Sequence, residues 1–139
     1  MTMPLKVSSL VPLLQVYDMP MSAAFYRDIL GFEIVMQSQP GEHFHWALLR
    51  LGEVELMLNT MFEFDDERPA NLDPSRTIGH GDLTLYFGCE DVDEAWNYLR
   101  SKGVTVAKPV IRDYGMKQIT VIDPDGYQLC FQHPVKAGG

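Results

Sequence analysis

The sequence contains few cysteines, no long apolar segment and fewer basic than acidic residues. Its 139 residues include two cysteines, Cys89 and Cys130, which are too few for a disulfide framework. Both lie in apolar segments typical of strands, so we expect buried, reduced thiols. No run approaches the roughly 18 consecutive apolar residues of a membrane span. Residues 1–9 also lack the apolar core of a signal peptide, which predicts a cytoplasmic protein with no membrane partner.

The charge balance excludes a further class of partner. Eleven Lys and Arg residues against nineteen Asp and Glu residues give a formal net charge of −8. Such a chain repels phosphate backbones and anionic lipid, so we expect no nucleic-acid partner. The same field would attract cationic ligands. The sequence also has no glycine-rich phosphate-binding loop.

The first half of the chain has the pattern of a β-α-β-β-β unit. An apolar segment at 7–17 predicts a strand, and Asp18 followed by Pro20 marks a helix start, because proline is tolerated in the first helical turn. Gly31 ends this helix. Apolar residues four apart predict its buried face, namely Met21, Phe25 and Ile29. Three further strands are predicted at 32–36, 43–50 and 54–58.

The second half repeats this order after a polar, proline-containing connection at 59–81. Alternating apolar residues at 82–89 predict a strand. Asp91 with Glu94 three residues later is typical of a helix N-terminus, and Gly103 ends that helix. The remaining strands are predicted at 104–107, 116–122 and 127–132, the last two joined by a turn at 123–126.

Three markers recur at a nearly constant spacing. The helix-starting Asp18 and Asp91 lie 73 residues apart, the helix-ending Gly31 and Gly103 lie 72 apart, and the turn glycines Gly52 and Gly126 lie 74 apart. This spacing indicates an internal duplication. We therefore predict an α+β fold with two tandem βαβββ modules in one domain, residues 1–139. Module one spans about 8–58, the linker 59–81 and module two about 82–132.

Two segments resemble motifs of a known family. Residues 22–32, Ser-Ala-Ala-Phe-Tyr-Arg-Asp-Ile-Leu-Gly-Phe, are similar to its first helix, and residues 123–129, Asp-Pro-Asp-Gly-Tyr-Gln-Leu, are similar to its last hairpin. The family is the glyoxalase, bleomycin-resistance and extradiol-dioxygenase (vicinal oxygen chelate) superfamily. The resemblance implies a curled sheet around a cleft, with the helices outside, and a homodimer.

The resemblance also implies where metal ligands would lie. In metal-dependent relatives, four cleft positions carry His, Gln or Glu, and here they hold Val11, Glu55, Thr84 and Cys130. Catalytic metal sites need about three protein ligands, and Glu55 alone matches. We therefore predict no metal and no other cofactor. A divalent metal at an atypical site, with His43 and His45 as alternating ligands, is the alternative.

The cleft residues suggest a ligand and a function. We expect ligand contacts from one set of residues, namely Trp46, Glu55, Thr84, Tyr86, Tyr114 and Cys130. The first hypothesis is a protein similar to bleomycin-resistance proteins, which binds and sequesters an antibiotic-like molecule. That molecule would be aromatic and cationic or neutral, stacked on cleft aromatics. Acidic residues at 63–67 would then add a negative field.

Two other classes of function stay open. The chain could be an enzyme of the superfamily, a lyase or dioxygenase with Glu55 as its catalytic base. It could also be an interaction module whose cleft has lost its role. Stoichiometric metal would favour the enzyme, and ligand-induced stabilisation without turnover would favour sequestration.

Overall fold

Two four-stranded mixed sheets form the framework. The computed structural model describes residues 4–62, 67–71 and 73–135. The first module contains β1 (Leu13–Gln15), α1 (Met19–Ala24) with a π-helical turn at Phe25–Ile29, β2 (Glu33–Gln37), β3 (Trp46–Leu51) and β4 (Val54–Asn59). A further helix, α2 (Pro74–His80), precedes the second module. That module contains β5 (Thr84–Gly88), α3 (Val92–Ser101), β6 (Val110–Ile111), β7 (Met116–Ile122) and β8 (Gln128–Pro134).

The two sheets have the same topology, which confirms the predicted duplication. The strand order is β1-β4-β3-β2 in sheet one and β5-β8-β7-β6 in sheet two. In each sheet the first strand pairs in parallel with the last, and the other pairs are antiparallel. The predicted α+β fold with two βαβββ modules is therefore correct. Within the described ranges, no helix combines the length and apolarity needed to cross a bilayer.

Equivalent residues begin the helices of both modules. Asp18 Oδ1 accepts a hydrogen bond from the Met21 N–H at 3.1 Å, and Asp91 Oδ1 accepts one from the Glu94 N–H at 3.1 Å. These carboxylates satisfy N–H groups that have no partner inside the helix. The helix starts were therefore readable from short polar motifs.

Two strand predictions were wrong in their bounds. The first strand begins at Leu13 rather than at residue 7, and Pro12 just before it has no N–H to donate to a ladder. The strand predicted at 104–107 lies instead at Val110–Ile111. Residues 104–107 pack on α3, where the Trp96 indole N–H donates to the Val106 carbonyl at 3.1 Å.

The buried face of α1 also differs from the prediction. Met21, predicted as core, is 58% exposed, whereas Phe25 and Ile29 are only partly buried. The buried residues are Met19, Ser22, Ala23, Tyr26 and Leu30. The π-helical turn, in which the Leu30 N–H donates to the Phe25 carbonyl at 3.1 Å, rotates the residues that follow it. Two hydroxyl-bearing residues of this buried face, Ser22 and Tyr26, contact the β7–β8 turn of the second module.

Both modules contribute to one hydrophobic core. Leu56 and Leu58 of β4 and Leu129 of β8 are almost fully buried in the same cluster. Phe32 of module one meets Phe87 of module two edge to face, with ring centroids 6.4 Å apart. The inner faces of the two sheets are therefore covered within the chain, whereas the opposite faces, here called the outer faces, carry exposed side chains such as Met36 and Tyr86.

Two buried carboxylates join module one to the β7–β8 turn. Asp123 and Asp125 are 4% and 2% exposed. Asp125 accepts hydrogen bonds from the Tyr17 N–H at 2.7 Å and from Ser22 Oγ at 3.2 Å. Asp123 accepts one from Tyr26 Oη at 2.7 Å. Buried carboxylates are tolerated only with such partners, so the turn depends on module one for its stability.

Helix α2 completes this junction. Arg76 Nε lies 3.5 Å from Asp125 Oδ1, and Arg76 Nη2 donates to the Gln15 carbonyl at 2.8 Å. The His80 ring stacks on Tyr127 with centroids 4.0 Å apart. The described part of the connection therefore packs on the β7–β8 turn.

Gly126 is the turn residue that α2 approaches. Its φ is +91°, and an added Cβ would lie 2.6 Å from Thr77 Cγ2 and 2.9 Å from the Thr77 carbonyl oxygen. Gly52, its counterpart in the β3–β4 turn, has a φ of +61°, and a Cβ added there would meet no atom within 4 Å. Of these two turn glycines, only Gly126 is needed for both its backbone angle and its contact.

This difference yields a stability prediction. Gly52→Ala is expected to lower the free energy of unfolding by about 1–2 kcal/mol, the cost of a left-handed backbone with a Cβ. Gly126→Ala is expected to lower it by about 1–3 kcal/mol more, because the methyl group overpacks Thr77. Urea denaturation of the two variants measures the difference. If both variants lost the same free energy of unfolding, α2 would not be in close contact with the β7–β8 turn at Gly126.

Protonation at the junction is set by burial. Burial raises the pKa of Asp123, and the hydrogen bonds from Tyr26 Oη and from two backbone N–H groups oppose this shift. Burial and then the charge of Asp123 raise the pKa of Tyr26. The phenol therefore keeps its proton and donates a hydrogen bond to Asp123. The pair is thus a neutral donor on a buried carboxylate.

Tyr26→Phe tests this pair. The variant leaves a buried carboxylate oxygen without its donor, so it is expected to lose about 1–3 kcal/mol of stability at pH 7. Tyr98→Phe is the control, since Tyr98 Oη donates to the Ile29 carbonyl at 2.7 Å but the residue is 41% exposed. Water can replace that bond, and a loss below about 1 kcal/mol is expected.

The pH dependence has a defined sign. Loss of the Tyr26 donor raises the pKa of Asp123 further, since that hydrogen bond lowers it. The deficit of Tyr26→Phe should therefore shrink as the pH falls through the pKa of Asp123. A deficit that is constant between pH 7 and pH 4, or equal to that of Tyr98→Phe, would contradict the assignment.

Candidate functional site

The outer face of sheet two carries polar and aromatic side chains. Leu85 and Phe87 of β5 lie in or against the core, whereas Thr84 and Tyr86 lie on the other face because side chains alternate along a strand. The register extends this face across β8 and β7: Tyr86 pairs with Cys130, and Cys130 pairs with Thr120. Tyr86 is 61% exposed.

A cavity of about 390 Å³ lies on this face. It is lined by Thr84, Tyr86, Arg112, Asp113, Tyr114, Gln118, Thr120, Gln128 and Cys130. Four residues proposed from the sequence thus lie together, namely Thr84, Tyr86, Tyr114 and Cys130. The other two, Trp46 and Glu55, lie on sheet one.

Glu55 and Trp46 are separated along β4 and β3. Glu55 pairs with Arg50, and its Oε2 accepts a hydrogen bond from Arg50 Nη2 at 3.1 Å. Trp46 pairs with Asn59, four residues further along β4. A second cavity, of about 360 Å³, is lined by both Glu55 and Tyr86 and lies where the two modules meet. Glu55 therefore borders the candidate site but is held in an ion pair.

Sequence reasoning missed the polar network inside the first cavity. Gln118, which is 6% exposed, accepts a hydrogen bond from Arg112 Nε at 3.1 Å. Its Nε2 donates to Tyr114 Oη and to Gln132 Oε1, both at 2.8 Å. The signal for Gln118 is that it shares a face of β7 with Thr120, which the register of β7 on β8 places beside Cys130.

Cys130 is not an activated nucleophile. It is 3% exposed, and burial raises the pKa of its thiol more than Thr120 and Arg112 lower it. A protonated thiol is a poor nucleophile. Cys89 and Cys130 are both free thiols, as expected, but Cys130 is buried whereas Cys89 is only partly buried.

The donor set at the four positions implied by the resemblance does not fit a transition metal. Val11 has no metal-binding side-chain atom, the Thr84 hydroxyl donates to Gln128 Oε1 at 3.0 Å, and Glu55 is paired with Arg50, which leaves the buried Cys130 thiol. In the part of the chain that the structure describes, no three His, Cys, Asp or Glu side chains cluster as metal ligands would. The alternative metal site was predicted at His43 and His45. There, His45 Nδ1 lies 3.3 Å from Ser38 Oγ, and Phe44, which separates the two histidines in the sequence, is buried.

The acidic cover predicted from the sequence is not part of this cavity's described lining. Residues 63–66 lie outside the described residues, and Glu67 is exposed. Helix α2, which follows, packs on the β7–β8 turn through Arg76 and His80. The cavity lining given above contains no described residue of 59–81.

Paired βαβββ modules with a shared core and an open sheet face define a class of duplicated α+β proteins. The chain belongs to the Glyoxalase/Bleomycin resistance protein/Dioxygenase superfamily, whose sequence profile matches residues 8–131. This membership confirms the resemblance seen in the helix and hairpin motifs.

Individual proteins are similar to this chain in sequence or structure. YaeR of Escherichia coli (strain K12) is 33% identical over 115 residues, which cover 81% of this chain and 84% of that protein. TnmS3, an antibiotic binding protein from Streptomyces sp. CB03234, has a similar structure, with a TM-score of 0.64 and 25% identity over 94% of this chain and 99% of that one. A bleomycin-binding protein complexed with bleomycin superimposes with a TM-score of 0.68 at 22% identity, covering 93% of this chain and 100% of that one.

Proposed function

We propose that this protein binds and sequesters a planar aromatic small molecule on the outer face of sheet two. The observation that carries the proposal is the convergence of Thr84, Tyr86, Tyr114 and Cys130 on one cavity. The cavity combines aromatic rings with polar groups, and its thiol is held protonated. Such a lining suits recognition by stacking and hydrogen bonding rather than chemical transformation.

Cavity size and ring exposure support a ligand of modest size. A volume of about 390 Å³ lies at the lower end of the roughly 300–1,000 Å³ of small-molecule sites. Tyr86 and Tyr114 are 61% and 63% exposed, so both phenol rings are accessible to a ligand. Each stacked ring contributes about 0.5–1.5 kcal/mol beyond the burial of its area.

The charge of the lining favours a neutral ligand over a cationic one. Arg112 and Asp113 contribute one positive and one negative charge to the cavity. The acids expected to attract a cation lie mostly at 63–66, outside the described residues. The net charge of −8 still provides a long-range attraction for cations, which salt would screen.

Two structurally similar proteins with a binding role support sequestration. TnmS3 is an antibiotic binding protein, and the bleomycin-binding protein was solved with bleomycin. An antibiotic-like aromatic compound is therefore the ligand class that we propose for this chain. The alternative, a lyase or dioxygenase with Glu55 as base, is less well supported because Arg50 pairs with that carboxylate.

A second copy of the chain is the partner that we propose for sheet one. Across its outer face, paired residues of four strands form an apolar row, namely Leu13, Met57, Leu48 and Met36. Leu13 and Met36 are 49% and 57% exposed. Soluble proteins seldom leave such rows uncovered, and sheet edges favour pairing.

Substitution of Tyr86 tests the binding proposal. In a thermal-shift screen, planar aromatic compounds that bind should raise the melting temperature of the protein. Tyr86→Ala should raise the dissociation constant of the best compound about tenfold, because a stacking contact is lost. Tyr98→Ala removes a tyrosine outside the cavity and should leave that affinity unchanged. If Tyr86→Ala leaves every compound unaffected, the cavity is not the binding site.

Native mass spectrometry tests the partner and the cofactor together. The expected species has twice the 15.8 kDa mass of the chain and carries no transition metal. A monomer at micromolar concentration would overturn the dimer. One zinc, nickel, manganese or iron per chain, lost on Glu55→Ala, would favour the enzyme instead.

A further inference from the structure

The hydrogen-bond partners of Gln118 fix the orientation of its side-chain amide. It lies on the outer face of β7 and is 6% exposed. Its Nε2 donates both of its hydrogens, one to Tyr114 Oη and one to Gln132 Oε1, each at 2.8 Å. The carbonyl oxygen must then point the other way, where it accepts from Arg112 Nε at 3.1 Å. The network accounts for the amide orientation without an unpaired group.

This bond positions the guanidinium of Arg112 from one side. Nε is held by Gln118, and among the described residues no acceptor is hydrogen-bonded to the two terminal nitrogens. Arg112 lines the same cavity as Tyr86 and Tyr114. A guanidinium is charged at all relevant pH values, and its planar N–H groups match planar oxygen acceptors. Its free edge is therefore a donor available to a ligand.

Neighbouring groups add donors rather than acceptors. Tyr114 Oη already accepts a hydrogen bond from Gln118, so its own O–H remains available to donate. Gln128 Oε1 accepts from Thr84 Oγ1 at 3.0 Å, which leaves the Gln128 amide N–H groups available. The charged acceptor in the lining is Asp113, which is exposed. Arg112 and Tyr114 are exposed as well, so the donors that remain available lie at the open side of the cavity.

We propose that Arg112, positioned by Gln118, is the specificity-determining residue of this cavity and selects aromatic ligands that carry an oxygen acceptor on the ring edge. A carbonyl or a carboxylate supplies the required lone pairs, and an ammonium group does not. The inference rests on the proposed function, since it assigns the ligand chemistry of the same site. It replaces the ligand expected from the sequence, aromatic and cationic or neutral, with a neutral or acidic aromatic molecule.

Three probes with one ring system test this selection. 2-Naphthamide and 2-naphthoate present a carbonyl and a carboxylate, and 2-naphthylmethylammonium presents a cation. Calorimetric titration at pH 7 should give dissociation constants about tenfold lower for the two acceptor probes than for the ammonium, since a charge-assisted hydrogen bond is gained. The naphthamide and naphthoate arms separate a neutral acceptor from a charged one.

Variants assign the selection to particular side chains. Arg112→Gln should abolish the tenfold preference and leave the affinity for the ammonium probe no weaker. Arg112→Lys keeps the charge but loses the planar fork, so it should retain a preference for naphthoate and lose the preference for naphthamide. Gln118→Leu removes the amide that positions Arg112 and should reduce the preference for the two acceptor probes over the ammonium probe. Lys108→Gln is the control, because it removes an exposed positive charge outside the cavity lining.

The outcomes separate this inference from the proposed function. Equal binding of the three probes, a preference for the ammonium, or a preference that survives Arg112→Gln would overturn the inference while binding remained. An equal loss in Lys108→Gln would show a general charge effect and would also overturn it. No binding of any probe would overturn both the inference and the proposed function.

Discussion

The burial of Asp123 and Asp125 in the β7–β8 turn is the constraint on which the rest of the structure depends. These carboxylates are almost fully shielded from water and are stabilised by donors from module one, including Tyr17 N–H and Tyr26 Oη. Their removal from water would cost several kcal/mol without those partners. The turn therefore holds sheet two against α1, and the inner face of the sheet is buried in a shared core. Its outer face is left free to form the candidate site.

The parts of the fold that follow from local chemistry were predictable from the sequence. Aspartates before the helices, glycines after them and the repeat spacing gave the module order and the duplicated topology, because capping and left-handed turns depend on residues close in the chain. Features set by distant contacts were not predictable. The buried face of α1 is determined by Ser22 and Tyr26, whose hydroxyl groups donate hydrogen bonds to carboxylates about a hundred residues away in the sequence. Strand β6 was predicted at 104–107 rather than at Val110–Ile111, because the apolar residues at 104–107 pack on α3 instead of pairing in the sheet.

The candidate site was predictable to the extent that strand parity and the family resemblance allowed. Parity placed Thr84, Tyr86 and Cys130 on one face of sheet two, where they line a single cavity. Trp46 and Glu55 were grouped with them and lie on sheet one, where Glu55 lines a second cavity together with Tyr86. Gln118 was not identified from the sequence, because Lys117 beside it obscures the alternation of apolar and polar residues along β7. Lys117 occupies a core-facing position of that strand, where it pairs with Asp93. A polar network that spans β7 and β8 is visible only once their register is known.

The central claim is that the outer face of sheet two, rather than the junction at α2, receives the ligand. Backbone amide chemical shifts of isotopically labelled protein, recorded during titration with 2-naphthamide, test it directly because each residue reports its own surroundings. The account predicts the largest shift changes at Tyr86, Gln118 and Cys130, with small changes in α1 and α2. Changes confined to α1, α2 and the β7–β8 turn, or to the outer face of sheet one, would contradict it.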